Sequence, residues 1–311
     1  MNKITLANGL KVSPVCLGAM MFGTTTSKKD SYAVIDAFLD LGGNFIDTSN
    51  NYAHWVGTGD ESETLLGEWI KEHGGRDKLV IATKVGFDRH GKGAGLRKEQ
   101  IEYWVDESLR KMNTDYIDLY YAHTDDLATP MEETMEAFNR LIEKGKVRAI
   151  GGSNYDTWRF SEFNLTAQSK GFAPYTVMQQ QFSYLYQRAD ASPGYTFNEY
   201  VTRERLRYLE EKNIPLVSYS CLLKGGYEAP ERMPDDMICG PRLDFIKSLA
   251  REKGVSTSTL VIAWLLNLYR TDGFPQIIPL FSSSKAEHFA KNCAAVDIVL
   301  SDDEMNMLNK A

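Results

Sequence analysis

The chain has 311 residues, of which 43% are hydrophobic and 25% are charged, and its formal net charge at pH 7 is -7. These values are ordinary for a globular protein, and they exclude a disordered or fibrous chain. The acidic balance argues against a general nucleic-acid binder, which needs a basic face to displace counterions from phosphates.

The amino terminus has no long apolar run, and no uncharged apolar stretch of about 18 residues occurs in the sequence. We therefore expect neither a signal peptide nor a membrane span, and we expect a cytoplasmic protein. The four cysteines lie far apart, and the five histidines show no spacing typical of metal ligands. The sequence thus predicts reduced cysteines and no structural metal.

The first predicted element is a β-hairpin across residues 4–14. Asn8-Gly9 lies between short apolar segments there. This dipeptide is a strong hairpin signal because both residues tolerate positive φ. We expect the hairpin to precede the main fold.

After the hairpin, short apolar strands alternate with amphipathic helices to the end of the chain. The first helix is predicted to begin after Ser27, a good N-cap, and to end at Gly42-Gly43. Eight strands are predicted at 15–17, 44–47, 79–83, 116–121, 147–150, 176–179, 215–219 and 276–280. Later helices are predicted at 61–72, 98–112, 131–144, 158–168, 202–212, 242–253, 257–269, 287–293 and 302–309.

Strands joined in series by helices indicate an α/β protein with a parallel sheet that is buried on both faces. Closure into a (β/α)8 TIM barrel, with an N-terminal β-hairpin and C-terminal helices, accounts for the number of strands. A doubly wound open sheet is the alternative, but the G-x-G-x-x-G fingerprint of such dinucleotide-binding folds does not occur. No linker or change in composition divides the chain, so we predict one domain over residues 1–311.

Four ionisable side chains follow consecutive predicted strands. Asp47, Lys84 and His123 lie at the ends of the second, third and fourth strands, and Tyr52 lies in the loop after Asp47. In a barrel they share one rim, where they suit proton transfer to a polarised carbonyl group. We expect the Lys84 ammonium to lower the pKa of Tyr52, Asp47 to keep Lys84 charged, and His123 to hydrogen-bond a substrate oxygen.

Three motifs resemble the aldo-keto reductase superfamily in order and spacing. They are G-G-N-F-I-D-T-S-N-N-Y over residues 42–52, I-A-T-K-V around Lys84, and Y-I-D-L-Y-Y-A-H ending at His123. The resemblance covers nearly the whole chain and implies the (β/α)8 fold. It also implies that Tyr52 is the general acid, that Lys84 and Asp47 tune it, and that His123 orients the substrate.

The resemblance further implies a nicotinamide dinucleotide that lies extended across the barrel mouth. Ser153 and Asn154, at the end of the segment 145–154, match the family residues that hold the nicotinamide amide, together with Gln179. Tyr219 matches the aromatic residue that stacks on the nicotinamide ring, and Ser220 follows it in the same cofactor site.

The segment 279–288 resembles the family loop and helix start that bind the adenosine phosphate, and Lys285 adds positive charge there. The residues implied at this end are Ser282, Ser284, Lys285, His288 and Asn292. Ser282 and Lys291 depart from the glycine and glutamate that family members often carry. We expect NADPH to be preferred over NADH.

The substrate pocket is predicted to be walled by Met20, Phe22, Trp55 and Phe87. The predicted activity is NAD(P)H-dependent reduction of an aldehyde or ketone, a small-molecule carbonyl whose identity the sequence leaves open, as it does the oligomeric state. A barrel aldolase or isomerase with Lys84 as a Schiff-base amine is one alternative. A dinucleotide-binding, redox-sensing regulatory subunit is another.

Overall fold

The computed structural model describes residues 1–87, 94–188 and 200–311 of the chain. The predicted hairpin is confirmed, since β1 (Ile4–Thr5) pairs antiparallel with β2 (Lys11–Val12). The turn between them depends on Gly9, whose φ of 85° lies in the left-handed region that glycine adopts without steric cost.

Eight parallel strands close into a barrel, which confirms the predicted (β/α)8 architecture. Neighbouring strands follow one another in chain order, and the last strand pairs with the first to complete the ring. The barrel strands are β3 (Cys16–Gly18), β4 (Phe45–Asp47), β5 (Val80–Val85), β6 (Ile117–Ala122), β7 (Val147–Ser153), β8 (Met178–Gln181), β9 (Leu216–Tyr219) and β10 (Ile277–Phe281).

Helices cover the outside of the barrel, and the predicted C-terminal helices follow the last strand. The α-helices of the described residues are α1 (Lys28–Asp40), α2 (Glu61–His73), α3 (Lys98–Met112), α4 (Met131–Glu143), α5 (Thr157–Lys170), α6 (Arg203–Glu211), α7 (Pro241–Glu252), α8 (Thr257–Asn267), α9 (Ala286–Cys293) and α10 (Asp302–Lys310). The predicted N-cap of α1 is confirmed, because the Ser27 side chain accepts a hydrogen bond from the Asp30 backbone N–H.

The hairpin closes the amino-terminal end of the barrel. Leu6 and Val12 are buried and belong to the same apolar cluster as the barrel residues Val80 and Leu119. Asn8 also reaches the carbonyl oxygen of Arg148, near the start of β7. The opposite, carboxyl-terminal rim is therefore the end of the barrel where a pocket can open.

Strand register brings the ionisable residues of the sequence to that rim. Asp47 is the last residue of β4 and pairs with Ala82, while Lys84 lies two positions further along β5. His123 follows β6 directly, and its backbone N–H donates to the Val85 carbonyl oxygen at 2.7 Å. Three consecutive strands thus deliver these side chains to one place.

The most apolar helix is α8 (Thr257–Asn267), and nearly all of its residues are buried beneath the helices around it. Among residues 1–87, 94–188 and 200–311, no helix is both long enough and apolar enough to cross a bilayer.

Helices α2 and α3 approach each other closely at Gly67. A Cβ atom at this position would lie 2.1 Å from the carbonyl oxygen of Lys111, on the backbone of α3. We expect Gly67→Ala to lower the free energy of unfolding by about 1 to 3 kcal/mol, because the two helices must move apart to admit the methyl group.

Urea denaturation followed by circular dichroism measures this loss. Thr64→Ala is the matched control, since Thr64 lies on the exposed face of the same helix. Its free energy of unfolding should change by less than about 0.5 kcal/mol. Equal stability of Gly67→Ala and the parent protein would contradict the close approach.

Candidate active site

Asp47 is the hub of the polar groups at the rim. It is completely buried at the end of β4. Its Oδ1 accepts hydrogen bonds from the Tyr52 hydroxyl at 2.7 Å and from Lys84 Nζ at 2.5 Å. Its Oδ2 accepts one from Gln179 Nε2 at 2.8 Å. Both carboxylate oxygens are therefore engaged, and strands β4, β5 and β8 are joined through one side chain.

Lys84 is held as tightly as Asp47. An ammonium group has three N–H donors, and those of Lys84 reach Asp47, the Thr48 carbonyl oxygen at 2.8 Å and the Tyr52 hydroxyl at 2.5 Å. Burial lowers the pKa of Lys84, and the Asp47 carboxylate acts in the opposite direction. Lys84 is fully buried behind the cavity wall, so its nitrogen does not meet a ligand there.

The structure corrects the predicted direction of the Tyr52 pKa. Burial raises this pKa well above its ordinary value, and the charge and hydrogen bond of Asp47 raise it further. The expected lowering of this pKa by Lys84 is outweighed, because the hydroxyl is buried and Asp47, which accepts the phenol proton, opposes a second buried negative charge. Tyr52 therefore keeps its proton at ordinary pH and is equipped to donate it.

His123 borders the same cavity, and its surroundings favour the neutral ring. Burial lowers its pKa well below the usual value, and the nearby charge of Lys84 lowers it further. Its Nδ1 lies 3.2 Å from Ser49 Oγ, and its ring meets the edge of Phe87 with centroids 4.6 Å apart. The ring is thus fixed on one side by a polar contact and on the other by an aromatic contact.

A second polar group lines the cavity beside His123. Asn154 Nδ2 donates to the His123 carbonyl oxygen at 2.9 Å and to Ser153 Oγ at 3.1 Å. Its Oδ1 accepts a hydrogen bond from the Tyr219 hydroxyl at 2.7 Å. The backbone of Asn154 is left-handed, with φ of 57°. This unusual conformation turns the side chain along the rim at the end of β7.

One cavity of about 840 Å³ runs from Tyr52 to the loop and helix after β10. This volume lies within the range typical of ligand sites. The predicted residues that line it are Met20, Asp47, Tyr52, Phe87, His123, Ser153, Asn154, Gln179, Tyr219, Ser220, Ser282, Ser284, His288 and Asn292.

Besides Lys84, which lies behind the wall, three other predicted residues do not line the cavity. Phe22 is completely buried in the hydrophobic core, so it does not wall the pocket. Trp55 is 56% exposed and lies outside the cavity wall. Lys285 is also outside it, because its Nζ forms an ion pair with Asp30 at 2.9 Å.

The sequence interpretation missed several charged and polar residues of the wall. They are Lys224, Glu228, Arg232, Ser256, Ser258 and Lys291. All of these except Lys291 lie in the loop after β9 or at the start of α8, where the Glu228 carboxylate accepts a hydrogen bond from the Ser258 backbone N–H at 2.7 Å. The length of the loop after Tyr219 was the signal available in the sequence, since it follows a strand and therefore lies at the open rim.

The arrangement suits the reduction of a carbonyl group. A protonated Tyr52 and a neutral His123 meet in a largely apolar end of the cavity, near Met20 and Phe87. In the part of the chain that the structure describes, no group of three or more His, Cys, Asp or Glu side chains could hold a metal ion.

Comparisons with known proteins agree with this chemistry. The family model described as "Aldo/keto reductase family" matches residues 14–311. Norsolorinic acid reductase stcV of Emericella nidulans is 30% identical, over 96% of this chain and 77% of that protein. Aryl-alcohol dehydrogenase GME11368 of Pestalotiopsis microspora is 28% identical, over 97% of this chain and 79% of that protein.

The lowered pKa of His123 predicts a loss of stability in mild acid. Below the ordinary histidine pKa of about 6.5 the unfolded chain binds a proton that the folded chain does not, so the stability present above that pH is lost as the pH falls. We expect this residue to account for about 1 kcal/mol of the loss between about pH 7 and pH 5.5.

Urea denaturation of the parent protein and of His123→Gln at both pH values measures this contribution. The remaining histidines are common to both proteins, so the difference between the two pH dependences isolates His123. An identical pH dependence would show that His123 titrates normally in the folded protein.

Proposed function

The chain is an oxidoreductase that belongs to the aldo/keto reductase family, and we propose that it reduces an aldehyde or ketone with a nicotinamide cofactor, using Tyr52 as the proton donor. The observation that carries this proposal is the hydrogen-bonded group of Asp47, Lys84 and Tyr52 at one end of the cavity.

The residues of the wall fit a dinucleotide. Ser153 and Asn154 offer polar groups of the kind that bind a carboxamide, and Tyr219 supplies an aromatic face beside them. At the far end the wall includes the cations Lys224, Arg232 and Lys291. Positive side chains along a cavity of this size suit the phosphates of an extended cofactor.

The cofactor, when bound, supplies a hydride to the carbonyl carbon, and the protein supplies the proton for the oxygen. Tyr52 holds that proton in a hydrogen bond to Asp47, so its hydroxyl must turn from Asp47 toward the substrate oxygen. Lys84 donates to the Tyr52 oxygen throughout and stabilises the phenolate that forms. His123 lies beside Tyr52, with ring centroids 6.0 Å apart, and orients the substrate.

Two features argue against the Schiff-base alternative. The Lys84 nitrogen is buried behind the cavity wall, and its hydrogen-bonding capacity is used by Asp47, Thr48 and Tyr52. A carbonyl carbon therefore has no approach to this nitrogen without disruption of the ion pair.

Relatives named for norsolorinic acid and aryl alcohol suggest an aromatic carbonyl substrate. The apolar side chains Met20, Met21 and Phe87 line the cavity at the Tyr52 end and suit such a ring. We extend the proposal accordingly to aromatic aldehydes and ketones.

Replacement of Tyr52 by phenylalanine tests the mechanism. Tyr52→Phe removes the proton donor together with its hydrogen bonds to Asp47 and Lys84, so kcat for carbonyl reduction should fall by at least about 100-fold. The dissociation constant of the cofactor, measured by fluorescence titration, should stay within about twofold.

Tyr269→Phe is the matched control, because Tyr269 is 56% exposed and lies away from the cavity. Its kcat should equal that of the parent protein. Full activity of Tyr52→Phe would refute the assignment, whereas cofactor binding without turnover of any carbonyl by the parent protein would favour a redox-sensing subunit.

The preference for NADPH over NADH is expected to depend on Lys291 rather than on Lys285. Lys291 lines the far end of the cavity, while Lys285 pairs with Asp30 outside it. Lys291→Met should raise the dissociation constant of NADPH about tenfold, because a charge-assisted contact to the extra phosphate is lost.

NADH titrations and the Lys285→Met variant complete this test. The affinity of Lys291→Met for NADH should change much less than its affinity for NADPH. Lys285→Met should bind both cofactors as the parent protein does. A larger effect of Lys285→Met than of Lys291→Met would restore the role expected from the sequence.

A further inference from the structure

Ser49 makes a contact with His123 that the proposed reaction does not use. In the sequence Ser49 lies between Asp47 and Tyr52, and its side chain is completely buried. Its Oγ is 2.8 Å from Asn51 Oδ1 and 3.2 Å from His123 Nδ1. One hydroxyl thus joins a side-chain amide to the imidazole ring.

The number of protons available decides the direction of both hydrogen bonds. A serine hydroxyl has one proton to donate, and an amide carbonyl oxygen only accepts. The Ser49 proton therefore goes to Asn51 Oδ1. Since Ser49 has no second proton, its contact with His123 requires that Nδ1 carries a hydrogen and donates it to Ser49 Oγ.

A neutral imidazole carries one proton on its two nitrogens. Burial and the charge of Lys84 lower the pKa of His123 and so favour the neutral ring. With the proton on Nδ1, the second ring nitrogen has a free lone pair. His123 lines the cavity while Nδ1 is turned to the buried Ser49, so Nε2 is the nitrogen left for a ligand.

We propose that Ser49, held by Asn51, fixes His123 in the Nδ1–H tautomer, so that Nε2 accepts a hydrogen bond from a substrate hydroxyl beside the reacting carbonyl. Ser49 and Asn51 are positioning residues that act through His123. The substrate part of this inference rests on the proposed function, whereas the tautomer does not.

The geometry gives the two rings different tasks on one substrate. Tyr52 is the proton donor for the carbonyl oxygen, whereas an Nε2 without a hydrogen only accepts and therefore cannot hydrogen-bond that oxygen. The ring centroids of Tyr52 and His123 are 6.0 Å apart, which lets one small molecule meet both. An acceptor at Nε2 instead selects a compound with a hydroxyl group on the neighbouring carbon.

Nitrogen-15 NMR of the full chain tests the tautomer directly, because protonated and unprotonated imidazole nitrogens differ widely in chemical shift. We expect a protonated Nδ1 and an unprotonated Nε2 for His123 in the parent protein. Ser49→Ala should remove the constraint and populate the Nε2–H tautomer. Asn51→Ala should do the same, since it frees the Ser49 proton for donation to Nδ1.

Ser108→Ala is the control, because Ser108 is a buried serine on α3, outside the cavity wall. Its spectrum should match that of the parent protein at His123. A protonated Nε2 in the parent protein would overturn the proposal. So would an unchanged tautomer in both Ser49→Ala and Asn51→Ala.

Kinetics with an isosteric pair tests the substrate class. The compounds 2-hydroxy-1-phenylethanone and 1-phenylpropan-1-one differ by a hydroxyl in place of a methyl group. We expect kcat/KM of the parent protein to favour the hydroxy ketone by about tenfold, and Ser49→Ala to lose most of that preference.

The outcomes separate this inference from the proposed function. Equal kcat/KM for the two ketones, with normal turnover, overturns the substrate class and leaves carbonyl reduction intact. Reduction of neither ketone nor of any other carbonyl compound overturns the proposed function together with the substrate class. The NMR spectra decide the tautomer in either case.

Discussion

The buried ion pair between Lys84 and Asp47 is the constraint on which the rim depends. Removal of two charges from water costs several kcal/mol per ion unless every donor and acceptor finds a partner. Here the ammonium is satisfied by Asp47, Thr48 and Tyr52, and Gln179 occupies the second carboxylate oxygen. The same hydrogen bonds that satisfy the ion pair therefore fix the positions of Thr48, Tyr52 and Gln179.

The same two charges act oppositely on the groups that face the cavity. Asp47 holds the Tyr52 proton in place, and Lys84 discourages a proton on His123. An acid that keeps its proton and a base that stays neutral thus lie side by side. Burial enlarges both effects because little water is present to screen the charges.

The barrel and its ionisable residues were predictable because they follow from periodic patterns. Apolar strands alternate with amphipathic helices, and the position of a residue at a strand end places it at the rim. Asp47, Lys84 and His123 were located in this way without knowledge of any long-range contact.

Other features depend on partners that sequence spacing does not reveal. Lys285 turns away from the cavity because of Asp30, which lies near the other end of the chain. Phe22 is close to the rim in sequence but is buried in the core. The upward shift of the Tyr52 pKa depends on how deeply the hydroxyl is buried. The place of Glu228 in the cavity wall depends on how a long loop folds against α8.

The hairpin covers the amino-terminal end of the barrel, so the interior is closed at that end. Leu6 and Val12 fill that end, and the cavity opens at the opposite rim. In the proposed reaction Tyr52 gives up one proton per turnover, and its hydroxyl lies in the same cavity from which the product departs. A bulky product that leaves slowly would therefore delay reprotonation of Tyr52 as well as its own release.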